Sequence, residues 1–292
     1  MVSDLAIIIL NYNSYGDTIR LYTNLSKYQS IPEHCFYIVD NHCDDGPKLQ
    51  KYFKNTAVHL IHSPHNGGYA FGNNLAIREA IRDNKDYYLI LNPDIQINSE
   101  TIIQMLQFMA NDKSIGALGC RIMEDKNTIY SDGGRVDFQK SCKPGHLNGG
   151  KRIDEVVSVS IVDQQSIQYI NGSVLLTRKE VLDEIGLMRE DFFLYFEETE
   201  WCIRMTKNTH YKLVVMTDQQ AYHKRSQKNE LYTYYMNRNR VILCRLLSVS
   251  YGHILLGHVL NIGKILIRRD YTLKRYIAAS RGVMNGITQV IK

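Results

Sequence analysis

Short apolar runs and amphipathic stretches alternate along the first hundred or so residues. LAIIIL at 5–10 is continuously apolar, as a strand buried on both faces must be. Leu21, Leu25 and Tyr28 then recur at i, i+4 and i+7, which predicts a helix. FYIVD (36–40), AVHLI (57–61) and YYLIL (87–91) predict three further strands. Between the last two, Ile77, Ala80 and Ile81 share one face of a helix over 72–83. Another helix follows with Ile102, Leu106 and Met109 inward and Ser99 as its N-cap. Strands alternating with helices predict an α/β fold whose mostly parallel sheet carries helices on both sides.

The middle of the chain is more β-like and less regular. ALGCRI (117–122), VVSVSIV (156–162) and SVLLT (173–177) predict strands, and the Gly/Lys-rich stretch 143–152 predicts a mobile loop. A short helix near 179–184 is followed by a loop entering a second helix near Glu198. A strand-like segment leads to His223, and helical patterning takes over from Tyr232. This divides the chain into an α/β body, 1–230, and a helical region, 231–292. Within the body a first half, about 1–115, carries the regular alternation.

Composition narrows the class. With 292 residues, 44% hydrophobic and 22% charged, the chain can bury a sizeable core and reads as globular. The run at 5–10 is too short for a signal sequence or a membrane span. Cysteines 35, 43, 120, 142, 202 and 244 form no C-x-x-C and no metal-like cluster with histidine, so they read as reduced thiols of a cytosolic protein. The formal charge of +5 conceals an asymmetry: residues 231–292 hold ten Lys or Arg against the single acid Asp270, which leaves the body mildly acidic. Such a tail suits an anionic neighbour: a membrane surface, a nucleic acid or an acidic substrate.

Candidate chemistry gathers at the strand ends. Asp40 and Asp94 each follow a predicted strand, and in a parallel sheet those ends share one edge, where α/β folds bind ligands. Alone, LNPDI (91–95) is equally well read as a strand stopped by proline. NGGYAFGNN (66–74) is glycine-rich and opens a helix, an arrangement that lets a backbone approach an anion, although it has neither Rossmann nor P-loop spacing. YFEETEW crowds Glu197, Glu198 and Glu200 among aromatic residues. Desolvation and like charge would raise their pKa values toward general-base work; acids complementing a helix N-terminus are the other reading. His223 stands alone in the sequence and gains meaning only if the fold brings it to Asp94.

The order IILNYNS, IVDN, NGGYAFGNN, LNPD, NGSVLLTRKEVLDEIGLM, FFLYFEETEWCIR, a late H…S and YYMNRNR resembles that of family 2 glycosyltransferases, most closely the bacterial rhamnosyltransferase-like group. The resemblance covers most of residues 5–240. It implies a GT-A fold, a nucleotide-diphospho-sugar donor, a divalent metal (Mn2+ or Mg2+) and inversion at the anomeric carbon. By the resemblance, Asn11, Tyr12, Asn13, Asp40 and Asn41 would border the nucleotide, with Tyr12 against the base and Asp40 on its edge. Gly68, Asn74 and Asn92 would shape the donor site. Asp94 would contact the metal, with His223 completing the metal and diphosphate surroundings. Glu198 would be the catalytic base, with Glu197 and Glu200 as the alternatives. Asn92 stands where the family's first acid would be, and HKRS lacks the glycine common after the histidine.

The donor suggested is dTDP-L-rhamnose, and the acceptor a saccharide or lipid-linked saccharide of bacterial surface polysaccharide. In 253–267, Leu256, Val259, Leu260, Gly263 and Ile267 share one helical face. That face could pack on the catalytic body, on a second copy as a homodimer, or on the anionic cytoplasmic face of the inner membrane. Three competing readings are weaker, one of them a catalytically dead sugar-binding module that donor hydrolysis with Mn2+ or Mg2+ would exclude. A nucleotidyltransferase would need a glycine-rich, lysine-bearing N-terminus, which IILNYNSYG lacks. A nucleic-acid binder could stack bases on Tyr232, Tyr234 and Tyr235 beside Arg238 and Arg240, yet leaves the ordered acids unused.

Overall fold

The computed structural model describes residues 2–28, 31–224, 228–267 and 273–291, with the backbone alone for residue 28 and for 261–267. The strands are β1 (Leu5–Asn11), β2 (Phe36–Asp40), β3 (His59–His62), β4 (Tyr87–Leu91), β5 (Ile115–Met123), β6 (Ile129–Ser131), β7 (Gly134–Asp137), β8 (Lys143–His146), β9 (Ile161–Asp163), β10 (Val174–Arg178) and β11 (Lys212–Tyr222). The helices are α1 (Tyr15–Thr23), α2 (Gly46–Phe53), α3 (Gly68–Arg82), α4 (Ser99–Asn111), α5 (Lys179–Ile185), α6 (Glu197–Asn208), α7 (Glu230–Leu246), α8 (Gly252–Ile267) and α9 (Leu273–Thr288).

One sheet runs β3-β2-β1-β4-β10-β5-β11-β9, with β6 beside β5, while β7 and β8 form a separate hairpin. Strands β1 to β4 are mutually parallel, β11 is parallel to β5, and β10 lies antiparallel between β4 and β5. The carboxyl ends of β1, β2, β4, β5 and β11 therefore share one edge with the start of β10. Period-2 burial explains the continuous apolar run of β1. Ile8 and Leu10 face the α3 side, and Ile7 and Ile9 face the layer containing α1, α2 and α4. Each such buried side chain contributes roughly 1.5–3 kcal/mol.

Several local expectations shift. Only Ile161–Asp163 of the 156–162 run pairs, as an edge strand on β11; Val157 and Val159 before it stay exposed. Residues 143–146 of the expected loop form β8, paired with β7 from Gly134↔His146 to Asp137↔Lys143. Helix α3 starts four residues early, at Gly68. Asn98, rather than Ser99, caps α4, its side chain accepting from the Thr101 N–H at 2.7 Å. The helix carrying Leu21 ends at Thr23 and widens into a π turn over Asn24–Tyr28.

The C-terminal helices share the body's core. Val241, Ile242, Leu243 and Cys244 of α7 and Val283 of α9 belong to the same buried cluster as Trp201 and Ile203 of α6. Helix α9 approaches α7 through glycine: a Cβ on Gly282 would fall 2.4 Å from the Tyr234 carbonyl oxygen, and one on Gly286 2.6 Å from that of Arg238. Among the described residues, no helix is long and apolar enough to cross a membrane. On α8, Leu256, Val259 and Leu260 are exposed. Arg268, Arg269 and Asp270 lie outside the described residues, as do the side chains of Gly263 and Ile267.

Candidate active site

The sheet edge brings Asp94 and His223 together across 129 positions of sequence. Pro93 ends β4, and Ile95 N–H closes a turn onto the Asn92 carbonyl at 3.1 Å. The next residues cross to the far strand: Gln96 and Tyr222 exchange backbone hydrogen bonds of 2.9 and 2.8 Å. That bridge sets His223 Nε2 3.2 Å from Asp94 Oδ1. His223 is 6% exposed, whereas the Asp94 side chain is 46% exposed and open to a ligand. Burial alone would raise the Asp94 pKa, but the His223 hydrogen bond and charge, with help from Arg20, hold it below the usual carboxylate range.

A carboxylate and an imidazole are suitable donors for a divalent cation, and the buried His223 Nδ1 has no hydrogen-bond partner. Among the described residues no group of three or more His, Cys, Asp or Glu could hold a metal. Asp94 and His223 are two suitable donors, so a cation held there would need its remaining ligands from outside the protein. Asn92 and His223 line one cavity, to which Asn92 adds no charge. Arg225 and Ser226 of HKRS lie outside the described residues.

That cavity, of about 400 Å³, reaches from Asn92 and His223 to Glu197 and Glu198, with walls of Tyr69, Tyr130, Tyr169, Tyr195 and Tyr232. Helix α6 presents the two glutamates differently. Glu197 is 1% exposed with Oε1 unpartnered; burial and the charge of Glu198 push its carboxyl far above the usual range, and Arg238 pulls it back only partly. Glu198 is half-buried beside Gly172, where a Cβ would sit 3.5 Å from its side chain. Burial pushes its pKa up to about 7, opposed by the N–H groups of Glu198 and Thr199 and the Thr199 hydroxyl. Glu200 is apart from this cavity: Arg204 donates to both its carboxylate oxygens, at 2.8 and 3.1 Å, and also to the Leu187 carbonyl.

The other expected donor residues divide into a rim and a frame. Asp40, 6% exposed, lines a second, smaller cavity with His42, Cys43 and His62, its carboxylate 3.3 Å from His62 Nδ1. The two strand-end acids therefore share an edge, but Asp40 borders this second cavity and Asp94 does not. Tyr12, 51% exposed, stands at the end of β1, beside Asn13 at a φ of 52°. Asn11 is fully buried and structural. Its carbonyl accepts from Thr18 and Ser14 and its amide donates toward Asp45, joining β1 to α1 and the loop before α2. Asn41 donates to Asn66, whose carbonyl also accepts the Gly68 N–H. Asn74 braces residues 188–190 through the Met188 carbonyl and Glu190.

Gly68 stands close against Phe193. Its φ of +88° suits glycine, a Cβ there would fall 2.1 Å from the Phe193 carbonyl oxygen, and the adjacent Tyr69 N–H donates to that oxygen at 2.6 Å. The start of α3 thus anchors the segment leading into α6. Sequence reasoning missed Tyr69 and Gly172, joined by a 2.7 Å bond from the tyrosine hydroxyl to the glycine carbonyl. The residues proposed for base stacking are committed inside the protein. Tyr235 stacks on Phe193 at 5.0 Å, Tyr232 lines the cavity, and Arg240 donates to the Ser141 carbonyl at 2.6 Å.

Known proteins share this sequence pattern and fold. The sequence pattern of the family described as Glycosyl transferase family 2 matches residues 6–185. The chain is 30% identical over 206 residues to the low-salt glycan biosynthesis hexosyltransferase Agl10 of Haloferax volcanii, covering 70% of this chain and 62% of that protein. It is 24% identical over 205 residues to the dTDP-rhamnosyl transferase RfbF of Shigella flexneri, covering 70% and 64%. The chain therefore spans less than two thirds of the length of either relative. Among solved structures, it is similar to GalNAc-T7 with UDP, GalNAc and Mn2+, at a TM-score of 0.64 and 13% identity over 98% of this chain and 56% of that one. It is also similar to the mannosyltransferase PcManGT of Pyrobaculum calidifontis with GDP-Man and Mn2+, at 0.57 and 11% over 98% and 87%. S. aureus TarS 1-349 with UDP-GlcNAc gives 0.55 and 17% over 97% and 80%. At such identities the likeness is one of fold, and the fold is GT-A.

Proposed function

This chain belongs to glycosyl transferase family 2, and on that premise we propose that it moves a sugar from a nucleotide diphosphate to a saccharide or lipid-linked saccharide acceptor, with inversion. One observation carries the reading: Glu198, its pKa near 7, faces the cavity whose other end holds Asn92 and His223. A carboxyl tuned to neutral pH can take a proton that an ordinary glutamate takes poorly. The acceptor hydroxyl oxygen attacks the anomeric carbon, its proton passes to Glu198, and the bond from that carbon to the diphosphate oxygen breaks. The nucleoside diphosphate then leaves with the bonding electrons. Holding donor and acceptor in one cavity supplies a further part of the rate by making the encounter effectively unimolecular.

Asp94 and His223 would hold the divalent cation, Mn2+ or Mg2+, which when bound offsets charge on the departing diphosphate. Tyr12, Asn13 and Asp40, around the second cavity and the β1 end, suit the nucleoside. Glu197, buried with its carboxyl pushed well above the usual range, backs Glu198 rather than replacing it. L-rhamnose from dTDP-L-rhamnose is supported by the Asn92-Pro93-Asp94 sequence and by the likeness to RfbF; Agl10, a hexosyltransferase, supports the broader class. The test is a thermal-shift panel of nucleoside diphosphates and nucleotide sugars with and without Mn2+, since a ligand that binds the native state raises its apparent stability. A selective rise with dTDP-L-rhamnose supports this donor, and no rise with any nucleotide refutes the reading.

The tail suits a peripheral position on an anionic membrane. Leu256, Val259 and Leu260 form an exposed apolar face on α8, a helix without an acidic residue, within a region rich in arginine and lysine. Salt-sensitive sedimentation with vesicles containing anionic lipid, abolished by Leu256→Asp with Val259→Asp, is the expected result. Binding indifferent to anionic lipid and salt would remove the proposal, and a dimer dissociated by the same substitutions would assign the face to a second copy.

A further inference from the structure

Residues 191–196, which lead into α6, adopt a conformation their sequence does not favour. Phe193, Tyr195 and Phe196 have φ values of 66°, 71° and 76°, a left-handed region that bulky side chains avoid. Each such residue costs on the order of 1–3 kcal/mol and persists only where its surroundings over-determine it. Here the surroundings are supplied by α7, more than forty residues further along the chain.

Five successive carbonyls of this segment have named partners. The Asp191 carbonyl accepts from Arg238 Nη2 at 2.7 Å and from Gln289 at 3.2 Å. The Phe192 carbonyl accepts from Arg238 Nη1 and from Asn239 Nδ2, both at 2.9 Å. The Phe193 carbonyl takes the Tyr69 N–H at 2.6 Å. The Leu194 and Tyr195 carbonyls lie 2.7 and 2.8 Å from the Asn239 amide nitrogen. Asn239 is fully buried, and its own carbonyl accepts from Arg238 at 2.7 Å. Gln289, just past α9, accepts from the same Arg238 Nη2 that donates to the Asp191 carbonyl. The Tyr235 ring lies over that guanidinium at 5.7 Å and stacks on Phe193.

We propose that Arg238 and Asn239 are positioning residues for sugar transfer: they fix the 191–196 backbone and thereby the placement of Glu197 and Glu198 at the start of α6. The proposal rests on the transferase reading above. Neither side chain reaches the acceptor; both act through the carbonyls they hold. A small displacement of Glu198 lowers kcat, because proton transfer is steep in geometry, while the donor-side groups Asp40, Asp94 and His223 stand on other elements and keep donor KM. The basic helical region is then part of the catalytic apparatus, and Gln289 ties α9 into it.

The test uses the full chain carrying Asn239→Ala, Arg238→Lys or Gln289→Ala, with transfer kinetics and amide hydrogen exchange measured for each. Asn239→Ala is expected to lower kcat by about 10²-fold with donor KM little changed, as a shift of the order of 1 Å does. The pH midpoint of kcat should move down from near 7 as water reaches Glu198, and exchange should rise at residues 193–198. Arg238→Lys keeps the charge but loses the fork, and is expected to fall between Asn239→Ala and the parent. If Asn239→Ala does not fold, Gln289→Ala, half-buried and distant from the reacting atoms, should show the same signature more weakly. Folded variants that turn over normally with the parent's pH midpoint overturn the proposal. A parent inactive with every donor, yet with faster exchange at 193–198 in the variants, overturns the transferase reading and leaves the clamp intact.

Discussion

Replacing Glu198 by glutamine tests chemistry and stability with one change. The side chain keeps its size and loses both proton acceptance and negative charge. A general base contributes roughly 10²–10⁴-fold, so transfer should fall by that factor while nucleoside diphosphate binding remains. In the unaltered protein kcat should rise through a midpoint near pH 7, falling about tenfold for each pH unit below it, because only the ionised carboxylate accepts a proton. Stability moves the other way. The folded-state pKa lies above the ordinary glutamate value of 4.5, so between about pH 4.5 and 7 the native state binds the extra proton. Its stability then declines as pH rises through that window. A shift of this size corresponds to at most about 3 kcal/mol, since Glu198 is partly exposed and solvent reduces the cost. For a chain of this length that is about 5 °C in Tm. Glu198→Gln should therefore match the unaltered protein near pH 5 and exceed it in Tm by up to about 5 °C near pH 8. Paired thermal melts and transfer assays across pH 5–8 check both arms. A variant with near-normal turnover, or a parent activity limb at pH 4–5, would refute the assignment of Glu198 as the base.

Three further outcomes follow from named contacts. Asp94→Asn and His223→Ala should each weaken Mn2+ binding in the presence of a nucleoside diphosphate, and should lower transfer by roughly 10²-fold or more; isothermal titration and kinetics check the two effects. Gly68→Ala places a Cβ against the Phe193 carbonyl at a φ of +88°, so it should cost at least about 1–3 kcal/mol in urea unfolding and reduce kcat together with stability. Glu200→Gln leaves the Arg204 guanidinium short of a charged partner, so it should cost roughly 3 kcal/mol yet keep the activity midpoint near pH 7; loss of that midpoint would move the base to Glu200.

The layered α/β architecture was legible because burial imposes a period on the residues that build it. The runs at 5–10, 36–40 and 87–91 need apolar side chains on both faces, and all three lie in the centre of the sheet. The 156–162 run shows the limit of that signal. Val and Ser alternate as in a half-buried strand, but β-propensity depends on a partner, and only three residues meet β11. The β7–β8 hairpin was hidden by Gly, Pro and Lys, which read as loop. Asn11 and Asn74 have the composition of ligand-binding residues, and their buried hydrogen bonds within the protein leave no periodic trace. The same holds for Asn239, whose partners lie 44 to 47 positions away.

What sequence order could not separate is the division of labour among the acids. Asp94, Glu197, Glu198 and Glu200 are all carboxylates near helix or strand ends, and residue type alone allows each to bind a cation or take a proton. Environment divides them. Asp94 is open to solvent on one side and paired with His223 on the other, so its carboxylate stays ionised and suits a cation. Glu198 stands among tyrosines in a cavity, where desolvation brings its proton equilibrium to neutral pH. Glu197, one position earlier, is buried more fully, and that burial with the charge of Glu198 pushes its carboxyl well above the usual range. Glu200 gives its charge to Arg204 and is spent on structure. Carboxyl groups whose environments push their pKa values apart take separate roles in one reaction. On the proposed reading Asn92 fits the same division: it lines the cavity without charge, and a diphosphate bound beside Asp94 and His223 would bring its own charge to a cation there.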